Sequence, residues 1–336
     1  MTRYLFLFIT CCFAGCVSDK IPANGKEALQ VTDVQGNTVT LDKPAEKIVC
    51  LFDPMVDAIY MLQVQHKLVG IPAETYADRE LFTPYSHIDD RVKNRAIATP
   101  GSNETANLES IIALKPDLVI VQHMNAGSIR SLQQMGIAVY QASSEKYEHV
   151  LKEIEDIGLL TGAEERAKTI RDFAVELFTE MKEAATAVPE ENKKTVYFTW
   201  ANGRIFSTTG RNSMMHDCLV FAGLENVCTS SIDQPNINAE TLLSWNPDII
   251  VMWNDPATLF YSKKELEEIN AVKHRQIFNL MPMFYYNPHT LKSLCAAVRM
   301  KGWGYAQPES EMLEKVKEII IQLYGPETGN KLNTLL

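Results

Sequence analysis

Aromatic and charged side chains follow the predicted strands of this 336-residue chain in two groups. The group in the first half consists of Phe52, Asp53, Tyr76 and His123. The group in the second half consists of Trp200, Arg204, Arg211, Trp253, Tyr285, Tyr286 and His289. Because the carboxyl ends of parallel strands meet at one edge of a sheet, we expect each group to lie together. Aromatic rings that converge on a pocket favour a large planar or catechol-bearing ligand.

The charged members of these groups extend the prediction. Arg204 and Arg211 suit an anionic metal chelate, because a guanidinium makes charge-assisted hydrogen bonds. His289 follows a proline at a predicted helix start, so a cap or surface position is as consistent as a metal ligand. Its nearness to Tyr285 and Tyr286 keeps direct contact with a bound metal open. Any one of these residues is also consistent with core packing or a solvated surface, so the prediction depends on their position at strand ends.

Apolar runs alternate with helical patterns on both sides of one long amphipathic segment. The runs KIVCLF, KLVGI, LVIVQH and IAVYQA predict strands in the first half, and TVYFTW, IIVMW and RQIFNL predict strands in the second. Such alternation is typical of a doubly wound parallel sheet. Between the halves, apolar residues recur at helical spacing from 163 to 188. The sequence therefore predicts an α/β protein with two lobes, residues 29–160 and 191–336, joined by one long rigid helix within residues 161–190.

Two distant segments have nearly the same pattern. LESIIALKPDLVIVQ contains Glu109 and AETLLSWNPDIIVMW contains Glu240, and in each a short helical pattern leads through Pro-Asp into an aliphatic run. The Pro-Asp pair has a structural interpretation, because proline ends the helix before the strand begins. Each glutamate falls in the first turn of its helix. There it either complements the helix dipole or serves as a surface charge for a partner.

The N-terminal residues predict export. Arg3 precedes an apolar run that is too short to span a bilayer and that suits a signal peptide over residues 1–15. The segment FAGC resembles a bacterial lipobox, which implies lipidation of Cys16 and attachment to a membrane of the cell envelope. A cleaved signal peptide without lipid is the alternative. The polar residues 16–28 are expected to form a tether.

Composition excludes several classes of protein. The formal net charge of −10 argues against a nucleic-acid partner, which requires clustered Lys and Arg. Cys50, Cys218, Cys228 and Cys295 lack zinc-site spacing, so buried free thiols are predicted, with a bond between Cys218 and Cys228 left open. No nucleophile-elbow, phosphate-loop or zinc-protease motif occurs, which argues against an enzyme. A lipid-anchored scaffold module is the other alternative.

Four segments, taken in order, resemble the helical-backbone substrate-binding proteins of ABC importers for ferric siderophores, haem and cobalamin. They are KIVCLFDPMVDAIYMLQ, LESIIALKPDLVIV, STTGRNSMMHDCLVFAGLENVC and INAETLLSWNPDIIVM, and the resemblance covers nearly all of residues 29–320. It implies a monomer that holds its ligand in a cleft between two pseudo-symmetric lobes. It implies no intrinsic cofactor, with an iron(III) chelate as the leading ligand and cobalamin or haem as alternatives. It also implies that Glu109 and Glu240 pair with arginines of an ABC permease dimer, which works with an ATPase.

Overall fold

The computed structural model describes residues 28–200 and 202–336. The predicted signal peptide, the predicted lipidation site Cys16 and the predicted tether up to residue 27 lie outside these residues. Within the described part of the chain, no helix combines the length and the apolar character that crossing a membrane requires.

The N-terminal lobe, called lobe 1, begins with a hairpin and continues as a parallel sheet with helical connections. Its elements are β1 (Leu29–Thr32), β2 (Thr38–Leu41), β3 (Ile48–Leu51), α1 (Asp53–Met61), β4 (Leu68–Gly70), α2 (Glu74–Ala77), α3 (Arg79–Ile88), α4 (Asp90–Lys93), α5 (Leu108–Leu114), β5 (Leu118–Val121), α6 (Ala126–Gln134), β6 (Ala138–Gln141) and α7 (Tyr147–Thr161). A short 3-10 turn at Gln65–Lys67 leads into β4.

The spine helix α8 spans Glu164–Thr186 and is followed by the C-terminal lobe, called lobe 2. The elements of lobe 2 are β7 (Thr195–Thr199), α9 (Met214–Phe221), β8 (Glu225–Asn226), α10 (Ala239–Trp245), β9 (Ile249–Trp253), α11 (Thr258–Tyr261), α12 (Asn270–Lys273), β10 (Ile277–Leu280), α13 (Ser293–Gly304), α14 (Glu309–Tyr324) and α15 (Pro326–Asn333). Short 3-10 turns lie at Glu190–Asn192, Lys264–Leu266 and Met283–Tyr286.

The two lobes share one sheet topology. The strand orders are β4-β3-β5-β6 in lobe 1 and β8-β7-β9-β10 in lobe 2, so both read 2-1-3-4 when strands are numbered within their lobe. The strands in each sheet are parallel. In both lobes the chain reverses its direction of growth between the first and third strands, which is where open α/β sheets hold ligands. The doubly wound architecture predicted from the sequence is confirmed.

The repeated Pro-Asp pair has the same structural role in both lobes. Oδ2 of Asp117 accepts hydrogen bonds from the backbone N–H groups of Glu46 (2.8 Å) and Lys47 (2.9 Å), just before β3. Oδ2 of Asp248 accepts from the backbone N–H (3.1 Å) and the hydroxyl (3.0 Å) of Thr195, which begins β7. Each aspartate therefore fixes the start of the third strand beside the start of the first.

The spine helix is continuous, as the sequence predicted for residues 163–188. Its 23 residues span about 35 Å at about 1.5 Å per residue. It begins after Gly162, whose positive φ of 74° ends α7. Near its start, the guanidinium of Arg166 donates to the carbonyl oxygens of Met61 at the end of α1 (3.1 Å) and Leu323 in α14 (2.7 Å). One side chain of the spine therefore binds helix ends from both lobes.

The connection between β10 and α13 contacts lobe 1 at two places. Nδ1 of His289 lies 3.0 Å from the carbonyl oxygen of Ser144, beyond β6. Earlier in the same connection, the 3-10 turn Met283–Tyr286 packs against α3 of lobe 1. A loop beyond the carboxyl end of β10 therefore meets a loop beyond the carboxyl end of β6, as expected of two sheets whose strand ends face a cleft between the lobes.

The cysteines of the described residues are free thiols. Cys50, Cys218, Cys228 and Cys295 are all buried and unpaired with one another, which confirms the free-thiol prediction. Burial raises the pKa of the thiols of Cys50, Cys218 and Cys295 well above the ordinary range.

Candidate functional site

Asp53 lies where β3 ends and α1 begins, on the cleft side of lobe 1. Its backbone N–H donates to Oδ1 of Asn103 (2.9 Å), and the Asn103 amide donates to Oδ2 of Asp53 (2.6 Å). Burial raises the pKa of the Asp53 carboxyl to about 6, against the lowering effect of the bond from Asn103, while the charges of Glu74 and Asp78 raise it further. The carboxyl at this edge therefore changes charge in the mildly acidic range.

Phe52 and Tyr76, the aromatic members of the first predicted group, have structural partners. Phe52 is buried in the core at the start of α1. The hydroxyl of Tyr76 donates to the carbonyl oxygen of Ile97 (3.1 Å) and accepts from its N–H (3.2 Å). The guanidinium of Arg95 lies 5.2 Å from the centre of the Tyr76 ring. The hydroxyl of Tyr76 is thus committed to the protein, and only its half-buried ring remains for a ligand.

His123 follows β5 and is exposed. It lines an open groove of about 580 Å³ together with Met124, Asn125 and Gln141. The groove lies at the carboxyl ends of β5 and β6, and contact of His123 with a ligand stays a prediction.

Trp200 and Trp253 form an aromatic pair at the carboxyl ends of the adjacent strands β7 and β9. Their ring centres are 6.3 Å apart with an interplanar angle of 62°. The indole N–H of Trp200 donates to the carbonyl oxygen of Thr208 (2.9 Å), which fixes the ring. Their exposed fractions of 7% and 9% mean that only a small part of each ring is open to a ligand. The predicted convergence of these two residues is observed.

The residues after the two tryptophans adopt backbone conformations that loops favour. Asn202 and Asn254 have positive φ values of 68° and 54°. The N–H of Gly203 donates to Asp255 (2.8 Å), which joins the loop after β7 to the loop after β9. Oδ1 of Asn254 is buried and has no partner within residues 28–200 and 202–336. A buried, unpaired amide oxygen beside the tryptophan pair marks this edge as a candidate ligand contact.

Arg204 and Arg211 take different positions. Arg204 is exposed in the loop after β7, close to the tryptophan pair in sequence. Arg211 instead lines a groove of about 790 Å³ between the C-terminal end of α8 and the helix α9. We call this the outer groove; its lining also includes Lys182 and His216. The charge of Arg211 and burial together lower the pKa of His216, with burial the larger effect.

Tyr285 and Tyr286 are buried, each with an exposed fraction of 2%. The hydroxyl of Tyr285 donates to the carbonyl oxygen of Leu332 in α15 (2.6 Å), and its ring contacts Phe284 at 5.2 Å between centres. Burial raises the pKa of Tyr286 to about 12. Both tyrosines thus pack lobe 2, and a role in ligand binding remains a prediction that this burial disfavours.

Glu109 and Glu240 occupy equivalent positions in the two lobes. Both are exposed in the first turn of their helices. The N-caps are Asn107 and Asn238, whose side chains accept from the N–H groups of Ser110 (2.9 Å) and Thr241 (2.8 Å). Because asparagine supplies each cap, the glutamates are not needed to complete the helix ends.

Several side chains at or near the strand ends were not predicted from the sequence. Asn103 holds Asp53, and Ser144 contacts His289 across the lobes. Glu153 binds the backbone at Ser144 from within α7. Asn103 lies in the polar segment GSNET, whose pattern does not indicate a particular partner. Glu153 falls on the apolar face of α7 between Val150 and Ile157, but that position does not indicate what its carboxylate binds. Among the described residues, no group of three or more His, Cys, Asp or Glu side chains is arranged to hold a metal ion.

Two α/β lobes of one topology, a rigid connecting helix and facing strand ends define a protein that binds its ligand between lobes. The chain belongs to the periplasmic binding protein family, whose sequence model matches residues 48–282. This confirms the resemblance to substrate-binding proteins of ABC importers, which work with a permease and an ATPase.

Three comparisons illustrate the breadth of that family. The chain is 25% identical over 282 residues to the uncharacterized ABC transporter substrate-binding lipoprotein YvrC of Bacillus subtilis, covering 80% of this chain and 85% of that protein. It is 24% identical over 252 residues to a cobalamin-binding protein of Halobacterium salinarum, covering 71% and 64%. The crystal structure of the molybdate-bound periplasmic protein MolA of Haemophilus influenzae has a TM-score of 0.73 at 19% identity, covering 88% and 97%. Similar folds thus serve different cargoes.

Proposed function

We propose that this protein is a lipid-anchored substrate-binding component of an ABC importer that captures a metal chelate and delivers it to a permease. The observation that carries the proposal is that Trp200 and Trp253 pair at the carboxyl ends of strands in lobe 2, while Asp53 lies at the carboxyl end of a strand in lobe 1. Aromatic rings and a few polar groups at the strand ends of two lobes suit a large, partly planar ligand. The anchor would be a lipid on Cys16.

The charge around the cleft bears on which chelate is bound. An iron(III) siderophore was expected because Arg204 and Arg211 suit an anionic aromatic chelate. Arg211 lines the outer groove, while the carboxylates of Asp53 and Glu74 lie at the strand ends of lobe 1. An anionic chelate would meet repulsion from these carboxylates.

We therefore propose a cobalamin-type corrinoid as the first ligand and an iron(III) siderophore as the second. A corrinoid presents amide groups that pair with carboxylates and with the Asn254 amide oxygen. The similarity to the cobalamin-binding protein of Halobacterium salinarum supports this order. Arg204, exposed near the tryptophan pair, is the feature that keeps an anionic siderophore as the second candidate. Haem is the third.

Calorimetry with the purified chain tests the ligand. Cyanocobalamin, a ferric catecholate chelate and haemin are titrated separately, and thermal unfolding is followed with each. A ligand at 100 times its dissociation constant adds about 2.7 kcal/mol to the free energy of unfolding. Cyanocobalamin should give the tightest binding; tighter binding of the ferric catecholate would reverse our order, and stabilisation by none of the three would contradict a chelate-binding role.

A matched pair of variants tests the location of the site. Trp253→Phe should weaken binding about 10-fold, since the smaller phenyl ring loses part of the contact area of the indole. Trp303→Phe is the control, because Trp303 is equally buried (9% exposed) but stacks on Phe278 at 4.9 Å, on α13. Equal affinities of the two variants would place the ligand elsewhere.

We further propose that the bound chelate is released unchanged, since the family members compared above are solute-binding proteins. Mass spectrometry of ligand recovered after prolonged incubation tests this. A modified chelate would favour an enzyme on the same fold, and uptake that continues after deletion of the protein would favour an envelope scaffold.

A further inference from the structure

Glu153 is fully buried in α7, yet its carboxylate is bonded only to a two-residue segment beyond β6. Oε1 accepts from the backbone N–H groups of Ser143 (2.6 Å) and Ser144 (3.1 Å). Oε2 accepts from the hydroxyl of Ser144 (2.6 Å). Burial raises the pKa of Glu153, and these three bonds oppose that effect. Burying a carboxylate costs free energy, because the charge loses its hydration. We therefore expect the segment that Glu153 holds in place to have a function.

The held segment includes a residue in an unfavourable conformation. Ser144 has a φ of 51°, in the left-handed region that residues with a Cβ generally avoid. Its side chain is itself buried. The bonds to Glu153 oppose the tendency of Ser144 to return to an ordinary backbone conformation. Strain that is maintained by buried bonds indicates that the resulting orientation is used.

The orientation brings the Ser144 carbonyl to His289 of the other lobe. The carbonyl oxygen lies 3.0 Å from Nδ1 of His289. A carbonyl oxygen only accepts hydrogen bonds, so Nδ1 must carry the proton. In the neutral imidazole, Nε2 then holds the lone pair. No residue of the described ranges hydrogen-bonds to Nε2, and His289 is half-buried at the edge where the strand ends of both lobes meet.

The charges around this edge are acidic. Asp233, in the loop after β8, lies close enough to His289 for the imidazolium charge to lower the pKa of its carboxyl. Burial, the largest effect, and the charge of Glu145 raise that pKa. Glu145 is next to Ser144 in lobe 1, and Asp233 is in lobe 2. Carboxylates of both lobes therefore lie near the imidazole of His289.

We propose that Glu153 is a positioning residue of the binding site. By holding Ser144 in the left-handed conformation, Glu153 directs the Ser144 carbonyl to Nδ1 of His289. This fixes the tautomer in which Nε2 is unprotonated, so Nε2 can accept a hydrogen bond from the ligand or coordinate a metal ion of the ligand. This proposal rests on the proposed function for its purpose, because the ligand lies between the lobes. Its structural content, the coupling of a buried glutamate to the tautomer of a histidine in the other lobe, does not depend on which ligand is bound.

Nitrogen-15 NMR of the histidine side chains tests the coupling without any ligand. The full chain is labelled at histidine, and the His289 signals are assigned by their loss in His289→Gln. At about pH 8, where imidazole is neutral, the parent should show a protonated Nδ1 and an unprotonated Nε2. Glu153→Ala should show a mixture of tautomers. A protonated Nε2 in the parent, or a tautomer unchanged in Glu153→Ala, would overturn the proposal.

A rescue variant separates positioning from general stability. Glycine adopts positive φ without strain, so Ser144→Gly in the Glu153→Ala background should restore the parent tautomer. Glu155→Ala is the control, since Glu155 is on the same helix but exposed and paired with Arg171 (3.0 Å). If Glu153→Ala does not fold, Glu153→Leu replaces it, because leucine fills the buried position without accepting a hydrogen bond from Ser143 or Ser144. Failure of Ser144→Gly to restore the tautomer in a folded double variant would show that Glu153 acts only through packing.

Affinity measurements connect the coupling to ligand binding. Replacing a residue that orients a ligand-binding imidazole without touching the ligand typically weakens binding at least about 10-fold. Glu153→Ala should therefore lose about 10-fold in affinity for cyanocobalamin. Ser144→Gly should recover most of the loss. If the parent binds no chelate, the proposed function fails while the NMR result still decides the coupling. If the parent binds cyanocobalamin and Glu153→Ala binds it equally well, the positioning role is wrong.

Discussion

Lys292 and Asp57 form a buried ion pair between the lobes. Nζ of Lys292, just before α13 in lobe 2, lies 2.9 Å from Oδ2 of Asp57 in α1 of lobe 1, and both side chains are almost fully buried. The hydroxyls of Tyr85 (3.2 Å) and Tyr324 donate to Oδ1 of Asp57. The ring centre of Phe284 lies 3.5 Å from the Lys292 ammonium. The carboxylate of Asp57 therefore binds groups from α3, α14 and the residue before α13. Burial lowers the pKa of Lys292.

Breaking this pair should destabilise the whole chain. Lys292→Met leaves the Asp57 carboxylate buried without its cation, and we expect the free energy of unfolding to fall by about 3–5 kcal/mol. Adding Asp57→Asn should recover most of the loss, since the amide oxygen still accepts from both tyrosines. Urea denaturation measures both. Lys331→Met, which removes an exposed pair with Glu327, is the control and should change stability by less than about 1 kcal/mol. A double variant no more stable than Lys292→Met would contradict the charge argument.

The lobes should move little on ligand binding. The spine helix is continuous, Arg166 binds helix ends from both lobes, and Lys292 joins them again in the core. Small-angle X-ray scattering with and without ligand should give radii of gyration that differ by less than about 1 Å, as for other pre-organised binding sites. A decrease of several ångströms would mean that the helix bends or that these contacts break.

Docking to the permease should depend on Glu109 and Glu240 together. Each exposed charge pair is worth only about 0.2–1 kcal/mol, so single alanine substitutions should reduce uptake slightly and the double substitution more strongly. Ligand affinity should stay unchanged, because neither glutamate caps its helix. Glu165→Ala with Glu311→Ala is the control, since these residues also lie exposed in first helical turns, of α8 and α14. Uptake by cells that lack the chromosomal copy measures the effect; normal uptake with the Glu109 and Glu240 double variant would refute docking through these residues.

Stability should fall between pH 4 and pH 7 because of Asp53. Its carboxyl pKa is about 6 in the folded chain, against about 3.9 when unfolded. Between these values the folded state binds more protons, so the stabilisation is complete below the unfolded pKa and is lost as pH rises through the folded pKa. Over this range the parent should lose about 1–2 kcal/mol more than Asp53→Asn in chemical denaturation. Glu74→Gln should shift the loss to lower pH, since the Glu74 charge raises the pKa of Asp53. Parallel curves for the parent and Asp53→Asn would show that Asp53 is not the titrating group.

The repeated helix, Pro-Asp and strand segments were predictable because their determinants are local. In each, proline ends the helix after a residue in the left-handed conformation, Lys115 or Asn246, and the aspartate bonds to the first strand. The convergence of Trp200 and Trp253 was also predictable, since they lie at the carboxyl ends of two strands that pair directly.

The direction of Arg211 could not be predicted from its own surroundings in sequence. Its backbone N–H bonds to the carbonyl oxygen of Ser230 (2.7 Å), and the N–H of Gly210 bonds to that of Asp233 (2.8 Å). A Cβ atom at position 210 would lie 1.9 Å from the carbonyl oxygen of Ile232. The two loops can therefore pair this closely only because residue 210 is glycine. The pairing of these two loops decides which way Arg211 points, and no local pattern encodes it.

The burial of Lys292 and Glu153 could not be predicted from the sequence for a related reason. Each is a charged residue on a helix or at its start, and such residues are usually exposed. Lys292 is buried with Asp57, which lies far along the chain. Glu153 binds Ser143 and Ser144 nearby in the chain, and only the contact of Ser144 with His289 is distant.

The four buried thiols bear on how this protein is made. Within residues 28–200 and 202–336, no covalent cross-link joins one part of the fold to another. Folding of this part of the chain therefore needs no thiol-oxidising enzyme, and neither a reducing cytoplasm nor an oxidising envelope changes its covalent structure. The protein produced in a cytoplasm without the predicted signal peptide should therefore melt at the same temperature with and without dithiothreitol.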